Sequence, residues 1–431
     1  MPAGRRAFDA SAPGCRRCRV LGTKPKPSRH AAPRPFHRFP RLHGSARVSP
    51  SSSPFIRQRP PRLMTESVFT PPAITHGGNP HDAARRYGIP AEQWLDLSTG
   101  INPLGYPVPP VPADAWRRLP GDDAPLAALA ARHYGAPDAA HVLPVAGSQA
   151  AIRALPALLA QGTAGVAPLA YSEYAPAFVR HGHAIERFEI GTAVLPATLR
   201  HVIVGNPNNP TAEHVDRARL LDWHAQLAAR GGTLIVDEAF VDAGGAATTL
   251  AAEVGRPGLV VLRSIGKFFG LAGVRAGFVL AEPALLARLR AELGAWTVGG
   301  PAQHAASAAL ADAEWQRATR VRLAHDGARL AALLGALGMT ARATQLFCWT
   351  DDARAHSLHE SLARQGIWTR FFAQAPSVRI GLPGTKAEWQ RLADALAGFA
   401  AGSAESSASS ASANWAERLE SSEPAGGRPA R

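Results

Sequence analysis

The sequence predicts an α/β fold: a large domain on a mainly parallel sheet covered by helices, followed by a smaller C-terminal α+β domain. Two observations carry this. From about Pro90 to Phe399, short β-branched runs alternate with longer Ala/Leu-rich amphipathic stretches, the pattern of repeated β-α-β units. The clearest unit joins strands at His201–Gly205 and Thr233–Asp237 through "EHVDRARLLDWHAQLAARGG". Its apolar residues recur at helical spacing and Gly231-Gly232 ends the helix. Further strands are expected at Leu259–Ser264 and Ala276–Leu280. From about Glu314 to Phe399, helices around a few strands ("LFCWT", "VRIGL") form the smaller domain.

The ends of the chain differ from its middle. Residues 1–63 hold thirteen arginines, two lysines and one acid, Asp9, so this leader carries the whole net charge of +14, and the rest is neutral. It is rich in Pro, Ser and Arg, lacks hydrophobic periodicity and cannot bury enough surface to fold. Met64 opens "MTESVFTPPAITHGGN", where composition turns ordinary, and the simplest expectation is that translation starts there. A targeting peptide and a basic arm for nucleic acid are the competing readings. The arm is disfavoured because "PKPSRHAAPRPFHRFP" is too proline-rich for a recognition helix. Residues 400–431, Ser/Ala-rich, are expected to be a disordered tail.

With 46% hydrophobic and 19% charged residues the chain has the composition of a globular enzyme. It has no apolar run near the ~18 residues that a membrane span needs. Cys15, Cys18 and Cys348 are too few for a disulfide framework and fit a reducing cytoplasm. The Cys15–Cys18 pair lacks a second ligand pair, so no metal site is expected.

Chemistry concentrates at predicted strand ends, where ligands of such sheets bind. "NPNNPT" places Asn209 in a turn made rigid by Pro207 and Pro210. Asp237 follows the apolar run Leu-Ile-Val, and a carboxylate buried there needs a cation or strong donor to meet it. In "VVLRSIGKFFGLAGVRAGFV", Val260 to Val279, Lys267 stands among apolar residues with Ser264 before it and Arg275 after it. Gly270, Gly273 and Gly277 put the lysine on a loop after a strand.

This ordered set resembles the pyridoxal-phosphate enzymes of fold type I, the aspartate aminotransferase-like family, over roughly residues 74–399. The resemblance implies that Lys267 forms an imine with the aldehyde of pyridoxal 5′-phosphate and that Asp237 keeps its pyridine nitrogen protonated. It implies that Asn209 meets the ring's 3-oxygen and that Tyr171, the first tyrosine of "YSEY", stacks on the ring. Ser264, Arg275 and the backbone of Gly147, Ser148 and Gln149 in "VAGSQAA" would bind the cofactor phosphate, the last three at a helix start. Residues 64–110 would then be an N-terminal arm and substrate-binding segment, 111–312 the cofactor-binding large domain and 313–399 the small domain.

Within that family, "THGGN" (Thr75–Asn79), "LDLSTGINPLGYP" (Leu95–Pro107) and Phe240 in "DEAFVD" are similar to the decarboxylases of cobalamin synthesis that act on L-threonine O-3-phosphate. That likeness implies a small anionic amino-acid substrate held by His76, Asn102, Arg370 and Arg379. Two guanidiniums offering bidentate forks suit a substrate with a carboxylate and a phosphate. The runner-up is an aminotransferase acting on histidinol phosphate; a nucleic-acid-binding regulator with this fold as its sensor is a remote third. The family also implies a homodimer. Relatives often carry a tyrosine that reaches the partner's cofactor phosphate; Leu119 stands in its place here.

Overall fold

The computed structural model describes residues 76–121, 123–245 and 248–402. The leader, Cys15, Cys18, Met64, Thr75 and the tail from residue 403 lie outside them.

After a short β1 (Leu95–Asp96), seven strands build the main sheet: β2 (Val142–Val145), β3 (Thr163–Val166), β4 (Ala184–Arg187), β5 (Leu199–Gly205), β6 (Thr233–Asp237), β7 (Leu259–Ser264) and β8 (Gly277–Leu280). Their order is β2-β8-β7-β6-β5-β3-β4. Pairing is parallel from β4 to β7, and β8 is antiparallel to both its neighbours. Every residue of β6 and β8 is buried, as expected of Val/Leu/Ile runs covered on both faces. Alternate side chains enter different cores. Ile203, Ile235, Val260, Leu262 and Val279 pack with Ile152, Leu155 and Phe178, while Val202, Leu234, Val236 and Val261 pack with Trp223 and Leu220. Helix Arg217–Ala228 supplies that tryptophan and connects β5 to β6.

The C-terminal part begins with a helix of 24 residues, Ala313–Ala336. Strands β9 (Arg342–Ala343), β10 (Phe347–Thr350), β12 (Arg370–Phe372) and β13 (Ser377–Gly381) form an antiparallel sheet ordered β12-β13-β10-β9. The remaining strand, β11 (Ile367–Trp368), pairs in parallel with β1, so the chain preceding the main sheet is stitched to the chain following it. Tyr87, Trp94 and Trp368 pack together at this seam, with ring centroids 5.7 to 6.0 Å apart and Trp368 edge-on to the other two. The Tyr87 hydroxyl donates to Glu360 Oε1 at 2.9 Å.

Among the described residues, no helix is long and apolar enough to cross a membrane, and no three His, Cys, Asp or Glu side chains are grouped to hold a metal ion.

Candidate active site

The loop from β2 turns at Gly147, with φ +75°, into helix Ser148–Leu158. A side chain at 147 would put its Cβ 3.0 Å from Arg275 Nη2, so glycine is what lets the guanidinium lie against the helix start. Arg275 itself has φ +55° and donates to Ala272 O at 3.2 Å. Ser264, at the end of β7, accepts from Gly266 N at 3.1 Å. Helix N–H groups, a serine and an arginine thus converge on one end of a cavity, an arrangement suited to a phosphate.

Asp237 and Lys267 line the same cavity. Asp237 is buried; its Oδ2 accepts from the Tyr174 hydroxyl at 2.9 Å and its Oδ1 from Ala239 N at 3.1 Å. Burial pushes its carboxyl up, and those two donors and Lys267 pull it back. Sequence reasoning missed Tyr174. "YSEY" spaces its tyrosines three apart across the turn that leads into helix Tyr174–Arg180, where Tyr174 N donates to Tyr171 O at 3.1 Å, and the rings lie 5.5 Å apart. The Tyr171 ring lines the cavity, and burial foremost, then the charges of Glu173 and Asp237, push its hydroxyl up to about 12.

Lys267 sits on the loop between β7 and β8. Burial first, then the Arg379 and Arg275 charges, bring its amine down to about 8, against an opposing pull from Asp237. Its Nζ lies 5.5 Å from the centre of the Phe240 ring.

Asn102, expected as a substrate contact, lies elsewhere. It is buried, its N–H donates to Lys267 O at 3.0 Å and its Nδ2 to Phe268 O at 2.8 Å. Its Oδ1 accepts from Leu104 N at 3.0 Å and Arg322 Nη2 at 2.8 Å. Each polar atom of the side chain is engaged by the protein, so Asn102 pins the lysine loop rather than facing a ligand. Close approach explains Gly270 there: its Cβ would fall 2.7 Å from Asn102 O.

A second cavity adjoins the first, and Tyr171, Asn209 and Lys267 line both. Its other walls include His76, Arg370 and Arg379. Arg379 on β13 is buried and donates to Asn209 Oδ1 and Ser98 O. Burial foremost, then Arg370, lowers it to about 10. Arg370 stands directly opposite on β12, packed 5.2 Å from the Phe372 ring centre. Like charges opposite one another destabilise a strand pair, and an anion between them reverses that. His76 Nε2 lies 2.9 Å from Glu173 Oε1. Gln149, expected to offer its backbone, also donates its side-chain Nε2 to Glu173 Oε2 at 2.8 Å and accepts from the Tyr171 hydroxyl at 3.1 Å. Leu119, in the place of the family tyrosine, is exposed.

Residues 123–396 match the family model for aminotransferase class I and II. The chain is 49% identical to the threonine-phosphate decarboxylase of Pseudomonas aeruginosa over 76% of this chain and 98% of that protein. It is 41% identical to the threonine-phosphate decarboxylase of a Sinorhizobium species, over 75% of this chain and 98% of that one. Its fold is similar to the crystal structure of a histidinol-phosphate aminotransferase from Sinorhizobium meliloti in complex with pyridoxal 5′-phosphate, with a TM-score of 0.64 at 19% identity over 79% of this chain and 99% of that one.

Proposed function

The chain belongs to the class I and II aminotransferase family, and from that premise we propose that it decarboxylates L-threonine O-3-phosphate to (R)-1-amino-2-propanol O-2-phosphate and CO2, using pyridoxal 5′-phosphate. The walls of the first cavity fit that cofactor. The cradle of Ser148, Ser264 and Arg275 suits its phosphate, the buried carboxylate of Asp237 suits its ring nitrogen, and Tyr171 offers an aromatic face. When bound, the cofactor supplies an aldehyde for an amine and a ring that accepts electrons.

The residues around it do the rest. The Lys267 amine, lowered to about 8, is neutral in a far larger share near neutral pH than an ordinary lysine, and is able both to attack a carbonyl carbon and to carry a proton to Cα. Asp237, with Tyr174 and Ala239 donating to it, holds negative charge at the ring-nitrogen end. Arg379, held by Asn209 and Ser98, would meet the substrate carboxylate and fix its orientation in the pocket. With the cofactor bound, that orientation would decide whether the carboxylate or the Cα hydrogen is the group lost.

The observation that carries this reading is the arginine pair facing Lys267 across one pocket. Two guanidiniums call for two anionic groups, which threonine phosphate has; histidinol phosphate has its phosphate alone. Release of CO2 from threonine phosphate, and not from threonine, is the expected result. Transamination of histidinol phosphate without CO2 release would refute it.

We propose that this product serves cobalamin synthesis and that the enzyme works in the cytoplasm. Trp116, Leu119 and Trp296 are exposed, and Trp296 lines a surface groove with Pro120 and Gly121; these exposed apolar side chains support the proposal of a homodimer.

A further inference from the structure

An acidic side chain at the edge of a pocket built for an anion is out of place, because it opposes the charge the arginines attract. Glu173 is such a residue. It is 9% exposed, and both carboxylate oxygens are in use: Oε1 by His76 Nε2 at 2.9 Å and Oε2 by Gln149 Nε2 at 2.8 Å. Arg153 stands 4.0 Å from Oε2. Gln149 in turn accepts from the Tyr171 hydroxyl. One carboxylate therefore joins a histidine of the substrate pocket to the tyrosine that lines both cavities.

We propose that Glu173 is a positioning residue for substrate recognition: it holds His76 where the phosphate of the substrate arrives and, through Gln149, sets the Tyr171 ring. The proposal rests on the threonine-phosphate reading above. Depth in the pocket separates the two anionic ends. The carboxylate is bonded to the reacting Cα, so it lies beside Lys267 and the buried Arg379. The phosphate is carried farther out along the side chain, toward the mouth, where the His76 side chain is 46% exposed. Hydrogen-bond chemistry explains why a carboxylate serves there. A carboxylate can only accept, so this contact takes the His76 Nε2–H and fixes the ring at the pocket wall, and the charge of Glu173 is spent on its protein partners rather than on the incoming phosphate.

The test is a double-mutant cycle on the cofactor-loaded enzyme, read by calorimetry as affinity for two ligands. One is 1-amino-2-propanol O-2-phosphate, which has the phosphate and no carboxylate; the other is threonine, with the reverse. Glu173→Ala and His76→Ala should each weaken the phosphate compound about tenfold, the scale of one charge-assisted hydrogen bond. The double variant should be no worse than either alone, and threonine affinity should stay within about twofold. In turnover, KM for threonine phosphate should rise more than kcat falls. Additive losses, or an unchanged affinity in Glu173→Ala, would overturn the proposal. Should the alanine variant fail to fold, Glu173→Gln, which keeps the volume and one acceptor oxygen, runs the same cycle with the same two outcomes. A wild-type enzyme that binds neither phosphorylated compound overturns the functional reading and this proposal together; wild-type binding with an additive cycle overturns this proposal alone.

Discussion

The proposed cofactor cavity and the proposed substrate pocket share Lys267, Asn209 and Tyr171, yet they are built in different ways. Ser264 and Asp237 stand at the carboxyl ends of adjacent strands β7 and β6 of one sheet, and Ser148 opens the helix that follows β2. That cavity inherits its shape from a buried backbone ladder. The substrate pocket has no such frame. His76 comes from the chain before the main sheet, Arg370 and Arg379 come from the sheet after it, and the β1–β11 pair with the Tyr87–Trp94–Trp368 cluster holds those two stretches together. Chemistry common to a family can stay on the rigid sheet, while specificity is set by segments that can change without disturbing it.

Substitutions should therefore separate the two regions. The largest effect is expected at the residue serving both. Lys267→Ala should remove the visible absorbance band that borohydride bleaches and lower turnover by about 10⁴-fold or more. Asp237→Asn should lower turnover by about a thousandfold and weaken cofactor retention on dialysis, because a buried charged contact of a few kcal/mol is lost. Arg379→Lys belongs to the other region. It keeps the charge and loses the fork, so kcat/KM should fall by about 2–3 kcal/mol, roughly a hundredfold, with the cofactor band intact. Loss of the band in Arg379→Lys would break the division drawn here.

The pH dependence of cofactor capture sharpens the same division. Burial and the two arginines bring the Lys267 amine to about 8. The reactive neutral form is thus scarce below that pH and dominant above it. Mixing cofactor-free protein with pyridoxal phosphate should give a capture rate that rises about tenfold per pH unit below pH ~8 and levels above it. Continued rise toward the ordinary lysine value of about 10.4 would contradict the environment described. The smallest effect is expected at the seam. Trp368→Ala should raise KM for threonine phosphate severalfold through loss of packing and leave the affinity for pyridoxal phosphate unchanged.

The two regions were not equally legible in the sequence. Strands Thr233–Asp237 and Leu259–Ser264 were readable to the residue, because apolar runs rich in Val, Ile and Leu end in a polar side chain. The α/β class followed from their alternation with helices. Tyr174 was missed because a tyrosine inside an apolar helical turn looks like core, and its role depends on a 2.9 Å contact with Asp237, 63 positions away. Glu173 was missed for the same reason: its partners His76 and Gln149 lie 97 and 24 positions off. Asn102 shows the reverse error. Its motif suggested a ligand contact, and only the position of Arg322, 220 residues on, shows where its amide is engaged.

That the pocket turns the carboxylate, and not the Cα hydrogen, toward bond breaking is the proposal on which the rest depends. It is tested most directly with L-threonine O-3-phosphate carrying a ¹³C carboxyl and deuterium on Cα, followed by NMR and mass spectrometry. Labelled CO2 and 1-amino-2-propanol O-2-phosphate that retains the deuterium are the expected products. Deuterium washed into solvent, with the labelled carboxyl still attached to a keto or amino product, would contradict it.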